Sequence, residues 1–273
     1  MNQEESSIRS LKSVRRQFLK GAQGSNEILS SPMGRMAPTP SGFLHLGNIV
    51  NFLLTGIIAQ KKASPVFLRI DDLDKDRCRD IYLEDIFHTL DFLNLPYFGP
   101  TSLGEFKKEY SQHNRIERYR EVFEMIVDRE RYFCTCSRRE ILERLGAKTS
   151  LQYDGYCRET GGDEREEGEM GAWRIKVTEH SELETKMGDF VLWQKNNLAP
   201  YQLASLVDDV DLGVTWLVRG EDLFLSSEAQ KFLSRKIDCE EFQSFTNREF
   251  IHHRLIVGDQ GEKISKSTQR QSQ

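Results

Sequence analysis

The chain has 273 residues, of which 38% are hydrophobic and 30% charged, and its formal net charge is −5 at pH 7. This composition is typical of a soluble globular protein with one large domain, or one domain that carries an inserted module. It contains no apolar run near the roughly 18 residues of a membrane span, and its polar N-terminus argues against a secretory signal or transit peptide. The five cysteines are too few for a disulfide scaffold and predict a reducing compartment, the cytoplasm.

Residues 1–31 are predicted to form a basic N-terminal extension. Apolar residues recur there at near-helical spacing, and arginines and lysines stand between them. Two interpretations remain open, a short surface helix with a solvated basic face and an arm that contacts nucleic acid phosphates. The apolar residues are Ile8, Leu11, Val14 and Phe18.

Residues 32–129 alternate between predicted strands and helices. Strands are predicted at 33–37 and 66–70, and helices at 48–61 and 82–94. This order indicates an α/β fold with a parallel sheet and crossover helices. The predicted buried side of the first helix carries Ile49, Phe52, Leu53, Ile57 and Ile58.

Residues 130–172 interrupt this pattern. They hold three of the five cysteines and a charged, glycine-rich stretch, 159–171, which predicts an exposed loop. We therefore expect an inserted cysteine-rich module here. Strands and helices resume in 173–273, the predicted second half of the main domain, which ends in a lysine-rich loop.

Two segments have residue types suited to binding a nucleotide. The first lies between a predicted strand and helix, where the helix N-terminus favours phosphate, a glycine allows close approach, and an imidazole can donate to a phosphoryl group. The second has two lysines on either side of a serine, which can clamp a triphosphate. Alone, a histidine at a helix start is more often a cap, and the second segment resembles an ordinary basic tail. The segments are Arg35-Met36-Ala37-Pro38-Thr39-Pro40-Ser41-Gly42-Phe43-Leu44-His45-Leu46-Gly47-Asn48 and Glu262-Lys263-Ile264-Ser265-Lys266-Ser267.

Together these segments resemble the two signature motifs of class I aminoacyl-tRNA synthetases. Four further motifs between them look like the glutamyl/glutaminyl-tRNA synthetase catalytic core, in the same order. The resemblance covers roughly residues 33–268 and implies a Rossmann-type, doubly wound parallel sheet with the active site at the carboxyl ends of its strands. The four motifs are Arg69-Ile70-Asp71-Asp72-Leu73-Asp74, Tyr201-Gln202-Leu203-Ala204, Val207-Asp208-Asp209 and Val218-Arg219-Gly220-Glu221-Asp222-Leu223.

Three cysteines cluster in the predicted insertion, at Cys134, Cys136 and Cys157. A structural zinc site needs four ligands, so from the spacing alone a zinc site and three reduced thiols are both open. The spacing resembles the zinc module of the glutamyl-Q tRNA(Asp) synthetases, shortened paralogues within this family. That resemblance implies zinc bound by these three cysteines and Tyr153.

The same resemblance implies roles for the other motif residues. Arg35 would pair with the side-chain carboxylate of glutamate, and Asp71 with its α-ammonium group. Ser41, Tyr201 and Arg219 would complete the glutamate pocket. Mg²⁺ would accompany ATP. The implied ATP-binding residues are Pro38, His45, Gly47, Asn48, Lys263 and Lys266, of which His45, Asn48, Lys263 and Lys266 are the expected catalytic residues.

Two features depart from the family pattern. Asp71 stands where the family usually has glutamate. A mismatch of one methylene in a binding site can reduce the binding free energy by ~1–3 kcal/mol, so the identity of the activated amino acid stays open. Little sequence follows Ser267, so we expect no anticodon-binding domain.

The expected function is ATP-dependent activation of glutamate to glutamyl-adenylate and transfer to a tRNA, with tRNA(Asp) as one candidate, by a cytoplasmic monomer. Three alternatives stay open: a divergent or truncated glutamyl-tRNA synthetase that charges a 3′ end, an aminoacyl transferase to a non-tRNA acceptor, and an inactive tRNA-binding paralogue.

Overall fold

A computed structural model describes residues 32–146, 152–160, 170–178 and 181–256. They divide into two compact units, the first comprising residues up to Arg115, 208–224 and those from Asn247, the second 116–207 and 225–246. The second unit contains the predicted insertion, 130–172, and extends beyond it on both sides, whereas the boundaries predicted from the sequence stay a prediction. The predicted extension (1–31) and the second lysine motif (262–267) lie outside the described residues, as does most of the predicted loop.

The described elements alternate between strands and helices. The strands are β1 (Gly34–Met36), β2 (Val66–Leu68), β3 (Arg131–Cys134), β4 (Ala172–Ile175), β5 (Val191–Trp193), β6 (Trp216–Gly220) and β7 (Glu249–His253). The α-helices are α1 (Leu46–Lys62), α2 (Asp80–Leu93), α3 (Leu103–Glu105), α4 (Ile116–Glu124), α5 (Arg138–Leu145), α6 (Tyr156–Glu159), α7 (Glu182–Lys186), α8 (Tyr201–Asp211), α9 (Phe224–Arg235) and α10 (Glu240–Gln243). A π-helix spans Phe106–Tyr110, and 3₁₀ turns span Gln112–Arg115, Asp128–Glu130, Glu221–Leu223 and Ser244–Asn247.

The first unit is built on parallel strands. β1 pairs with β2 and β6 pairs with β7, both in parallel. The backbone N–H groups of Thr215 and Trp216 donate to the Met33 carbonyl oxygen at 2.8 and 3.4 Å, which joins the two pairs. Phe98 extends the other side of β2, since Leu68 N donates to its carbonyl oxygen at 2.7 Å. Parallel strands joined through helices confirm the mixed α/β class expected from the sequence.

Helices α1 and α2 cover this sheet with apolar side chains. Phe52 of α1 is 2% exposed and packs with the strands, but Leu53 and Ile57 are 38% and 50% exposed. The prediction that these two lie on the buried side of the helix is therefore wrong. Each residue turns a helix by about 100°, so the neighbour of a buried residue points well away from the core. The core of this unit includes Met36, Phe52, Leu68, Ile70, Leu83, Ile86, Leu90, Trp216 and Val218.

Gly34 allows the close packing of β1 against Trp216. A Cβ atom at position 34 would lie 2.2 Å from the indole Cζ2 atom. The ring cannot easily move, because it is buried and its Nε1–H donates to Ser64 Oγ at 2.9 Å. Only glycine fits here without displacing the indole.

The second unit contains an antiparallel sheet in the order β3–β4–β5. Aromatic residues pack beside it, with the Phe123 ring 5.5 Å from that of Trp193 and 6.1 Å from that of Trp173. The Arg131 guanidinium lies over the Phe123 ring at 4.4 Å, a cation–π contact that holds α4 against the sheet. Among the described helices of either unit, none has the length and apolar character needed to cross a membrane.

Candidate functional site

The predicted ATP-binding residues His45 and Asn48 form the N-terminal cap of α1. His45 Nδ1 accepts from Gly47 N at 3.1 Å, and Asn48 Oδ1 accepts from His45 N at 3.1 Å, a reciprocal capping box. Since Nδ1 is the acceptor, Nε2 carries the ring proton and is the donor of the neutral imidazole. The cap thus places a donor beside the partial positive charge of a helix N-terminus, an arrangement suited to phosphate.

The segment before α1 is held over the ends of β1 and β2. Asp71, just beyond β2, donates its backbone N–H to the Pro38 carbonyl oxygen at 3.0 Å. Leu44 N donates to Asp85 Oδ2 of α2 at 2.7 Å, which fixes the far end of the segment. Ser41 is half-buried within it. The first signature motif is therefore brought beside the motif that contains Asp71, as the expected active site requires.

A buried carboxylate organises the arginines at this end of the sheet. Asp209 of α8 has 0% exposure and accepts from Arg69 Nη1 at 2.7 Å, from Arg35 Nε at 3.3 Å and from Arg219 Nη2 at 3.5 Å. We call these four residues the Asp209 cluster. Burial opposes ionisation of Asp209, but Arg69, Arg35 and Arg219 outweigh it and lower the pKa of this carboxyl.

Asp71, the predicted ligand of the α-ammonium group, is linked to this cluster through Arg69. Its carboxylate accepts from Arg69 Nε at 2.7 Å and Nη2 at 3.2 Å, a two-point ion pair, and from Gln112 Nε2 at 3.4 Å. Burial raises the pKa of Asp71 against the opposing effect of Arg69. Burial alone would lower the pKa of Arg69, but its acidic neighbours, Asp209 first, raise it well above the usual value.

A second layer of ion pairs holds the acidic end of α8. Asp208 accepts from Gln112 Nε2 at 2.8 Å and from Arg115 Nε at 2.7 Å, and Arg115 Nη2 reaches Asp211 at 2.7 Å. Carboxylates in the last turn of a helix interact unfavourably with its macrodipole, so nearby arginines are needed to neutralise them.

Sequence analysis assigned no role to Arg69, Gln112 or Asp209. The available signal was an arginine in an apolar strand and paired aspartates in an apolar helix.

The structure brings together only part of the predicted site. Arg35 and Arg219 both form ion pairs with Asp209, and Asp71 is connected to this group through its ion pair with Arg69. Tyr201, the first residue of α8, belongs to the second unit and is 37% exposed. Lys263 and Lys266 lie outside the described residues.

The predicted metal ligands meet within the second unit. The sulfur atoms of Cys134, Cys136 and Cys157 all lie within 4.8 Å of one another, and the Cys136–Cys157 distance is 3.4 Å. The Tyr153 hydroxyl oxygen is 3.5 Å from Cys134 Sγ and 3.7 Å from Cys136 Sγ. Cys134 is the last residue of β3 and Cys157 is the second residue of α6. Folding therefore brings together two segments that lie about twenty residues apart in the chain.

These four donors fit a tetrahedral zinc ion. With Zn–S bonds of about 2.3 Å, tetrahedral geometry places sulfur atoms roughly 3.8 Å apart. The Cys136–Cys157 distance of 3.4 Å and the upper bound of 4.8 Å for the whole set are compatible with that value. Arg144 Nη2 lies 3.3 Å from Cys136 Sγ, and the Arg174 guanidinium lies 3.9 Å above the Tyr153 ring. Burial raises the pKa of the Cys136 thiol, and the contact with Arg144 opposes that effect and favours the thiolate. Neither arginine was singled out from the sequence.

Comparisons with known proteins identify the family of this chain. Residues 33–273 match the family of tRNA synthetases class I (E and Q), catalytic domain. The chain is 34% identical over 256 residues to the glutamyl-Q tRNA(Asp) synthetase of Burkholderia cenocepacia, covering 86% of this chain and 80% of that protein. It is 30% identical over 258 residues to the protein of the same name from Nitratidesulfovibrio vulgaris, covering 86% and 78%.

A solved structure is similar in fold. The glutamate-tRNA synthetase of Elizabethkingia anophelis aligns with a TM-score of 0.69 at 22% identity, covering 89% of this chain and 54% of that chain. This chain thus spans about half the length of that synthetase, and the likeness concerns the fold alone. From the family match and these relatives, this chain belongs to the class I tRNA synthetase (E and Q) catalytic domain family, a family of ligases.

Proposed function

We propose that this chain activates glutamate with ATP and transfers the glutamyl group to a tRNA, with tRNA(Asp) as the acceptor. The observation that carries the proposal is the buried set of Arg35, Arg219 and Asp71, organised by Asp209 and Arg69. Glutamate carries two carboxylates and one ammonium group, and such a site offers both charge types in fixed positions. Groups held in place before the substrate arrives lower the cost of orienting it.

The proposed reaction needs no covalent nucleophile from the protein. An oxygen of the glutamate α-carboxylate attacks the α-phosphorus of ATP, and pyrophosphate leaves. A hydroxyl group of the tRNA then attacks the acyl carbonyl, AMP leaves, and an ester forms. His45 Nε2–H and the N-terminus of α1 stabilise charge on the phosphates, and we assign Lys263 and Lys266 to the same task. Mg²⁺ bound to ATP would supply further neutralisation.

Asp71 is the residue that we assign to the α-ammonium group of the amino acid. Its two-point contact with Arg69 holds the carboxylate in one orientation at 8% exposure. A fixed short side chain cannot lengthen to meet the ammonium group, so the substrate must approach it. This supports a fixed position for the amino acid, whereas the choice of glutamate depends in this proposal on Arg35, which we assign to the side-chain carboxylate.

We also propose that Cys134, Cys136, Tyr153 and Cys157 bind a structural zinc ion. The support is the mutual distance of the donors and the flanking arginines. Zinc would hold β3 to α6 within the second unit. Elemental analysis of purified protein should give about one zinc per chain, and a Cys157→Ser variant should lose it. A variant that keeps full zinc content would remove Cys157 from the ligand set.

The proposal is tested by ATP–pyrophosphate exchange with each of the twenty amino acids, first without tRNA and then with total tRNA. Glutamate should support exchange in at least one condition. An Arg219→Lys variant should lose most of that exchange, because lysine cannot reproduce the guanidinium contacts. Arg77→Lys is the matched control, since Arg77 is 69% exposed and its ion pair with Asp74 lies at the surface. Exchange with a different amino acid would refute glutamate as the substrate.

Transfer of labelled glutamate then identifies the acceptor. Labelling of tRNA(Asp) but not tRNA(Glu) is expected. Labelling of the 3′ end of tRNA(Glu) would instead favour a divergent glutamyl-tRNA synthetase. Absence of exchange under both conditions, with zinc-loaded and folded protein, would favour an inactive tRNA-binding paralogue.

A further inference from the structure

The side-chain amide of Gln112 lies between two carboxylates of the first unit. Gln112 begins a 3₁₀ turn and is 3% exposed. Its Nε2 atom donates to Asp208 Oδ2 at 2.8 Å and lies 3.4 Å from Asp71 Oδ1. An amide nitrogen carries two N–H donors, so each carboxylate can receive one of them. The reverse orientation would turn the amide oxygen toward both carboxylates, so these two neighbours fix the orientation of the amide.

Asp72, the neighbour of Asp71 in the chain, fixes the backbone of this turn. Asp72 Oδ1 accepts from Gln112 N at 2.8 Å, and Asp72 Oδ2 accepts from Ser111 Oγ at 2.5 Å. The Asp72 carbonyl oxygen lies 3.1 Å from His113 Nε2. Two consecutive aspartates therefore contact the same turn, since Asp72 holds its backbone and Asp71 receives its side chain. This arrangement sets the position of the Gln112 amide relative to Asp71.

The contact between Gln112 and Asp208 separates Asp208 from Arg69. Asp208 Oδ1 accepts from Arg115 Nε at 2.7 Å, and Asp208 Oδ2 accepts from Gln112. The same Oδ2 atom is 4.0 Å from Arg69 Nε, whose proton Asp71 Oδ1 accepts at 2.7 Å. Asp208 is 2% exposed, and the loss of a donor to a buried carboxylate is costly. Without the amide, we expect Asp208 to compete with Asp71 for Arg69 Nε.

The two distances show which contact of Gln112 matters more. A contact of 3.4 Å is beyond the usual range of an N–H···O hydrogen bond, so the direct contribution to Asp71 is small. The contact with Asp208 at 2.8 Å is a full hydrogen bond to a charged group. Gln112 therefore acts on Asp71 mainly through Asp208 and Arg69.

We propose that Gln112 is a positioning residue for the amino-acid substrate. It holds Asp208 away from Arg69 Nε, and thereby keeps the Asp71 carboxylate in the orientation that meets the α-ammonium group. This role rests on the proposed function, in which Asp71 binds that group. Arg69 contacts Asp209 through a different nitrogen, Nη1, so a change at Nε leaves that ion pair in place. The effect of Gln112 is therefore specific to the α-ammonium group of the ligand.

Calorimetric titration of the full-length protein with two ligands tests this role. L-glutamate has the α-ammonium group, and glutarate is the same diacid without it. Gln112→Met keeps the length of the side chain and removes its donors. It should weaken glutamate binding about 10-fold, the factor that corresponds to one hydrogen bond to a charged group, and leave glutarate binding at the wild-type level. A purely structural role would weaken both ligands equally, and that result would overturn the proposal.

Asn114→Leu is the matched control, because it removes an amide from the same turn. Asn114 is exposed, and its Nδ2 atom donates to the carbonyl oxygens of Lys107 and Lys108. This variant should bind both ligands as the wild type does. A loss of glutamate binding as large as that of Gln112→Met would overturn the proposal, since it would show that any damage to the turn has the same effect.

Two further variants protect the test against misfolding of Gln112→Met. Gln112→Asn keeps an amide in the buried site but withdraws it by one methylene, so a smaller loss specific to glutamate is expected. In an Asp71→Asn background, Gln112→Met should cause no additional loss, because both changes act on the same contact. Additive losses, or unchanged glutamate binding in Gln112→Met and Gln112→Asn, would overturn the role of Gln112 alone. Wild-type protein that binds no glutamate would overturn the proposed function, and this role with it.

Discussion

Asp209→Asn would remove one negative charge from the centre of the buried arginine network while keeping the size of the side chain. The carboxylate has 0% exposure and accepts from three guanidinium groups at 2.7, 3.3 and 3.5 Å. An asparagine directs an NH₂ group or a single weaker acceptor at these donors. Three buried positive charges would then share one fewer counter-ion.

The expected loss is large because the Asp209 carboxylate is fully buried. Removing one partner of a buried ion pair costs about 3–5 kcal/mol, since the remaining charge stays desolvated. With a Tm shift of about 2–4 °C per kcal/mol for a chain of this size, Tm should fall by roughly 10 °C. Glu249→Gln is the control, because its pair with Lys62 is 52% and 35% exposed and should contribute less than about 1 kcal/mol.

The assay is urea unfolding of wild type and both variants, repeated between pH 7 and pH 3. The folded pKa of Asp209 is lowered, so its stabilisation is complete above the unfolded value of about 3.9 and is lost as the pH falls through the lower folded value. The difference between wild type and Asp209→Asn should therefore be constant above about pH 5 and shrink only at the acid end. A loss below about 1 kcal/mol at pH 7 would refute the view that Asp209 organises the arginines.

Three further changes test other parts of the structure. Asp71→Asn should raise the KM for glutamate in pyrophosphate exchange about 10- to 150-fold, because a charged hydrogen bond worth about 1.5–3 kcal/mol is lost. An unchanged KM would show that Asp71 is not part of the amino-acid pocket. Gly34→Ala should lower the free energy of unfolding by about 1–3 kcal/mol, because the added Cβ overpacks against Trp216. Gly104→Ala is the control and should not have this effect, since no atom lies within 4 Å of its added Cβ. Equal losses for the two variants would contradict the packing argument. Chelation of zinc should increase proteolysis of the second unit in the wild type, and a Cys157→Ser protein should already show that pattern before chelator is added; resistance of both would argue against a structural metal.

Much of the chemistry could be predicted from local patterns. The strand–helix–strand order around Arg35 and Asp71 follows from short-range periodicity, and the structure confirms a mixed α/β fold. His45 and Asn48 could be placed at a helix start because capping depends on residues only three positions apart. The cysteine spacing likewise indicated where a metal site could form, and the three sulfur atoms do meet.

The remaining features depend on contacts between residues far apart in the chain. Arg35 and Asp209 are separated by 174 positions, and no periodicity links them. Burial also depends on which helix face the sheet covers, so Leu53 and Ile57 have the same local pattern as core residues and yet line an open groove. Local propensity and motif spacing therefore led from the amino-acid sequence to the elements, the family and the reactive residue types. The partners of each buried charge, and the exposure of apolar side chains in the groove, emerged only when the parallel strands brought distant side chains together, because desolvation and ion pairing act through space rather than along the chain.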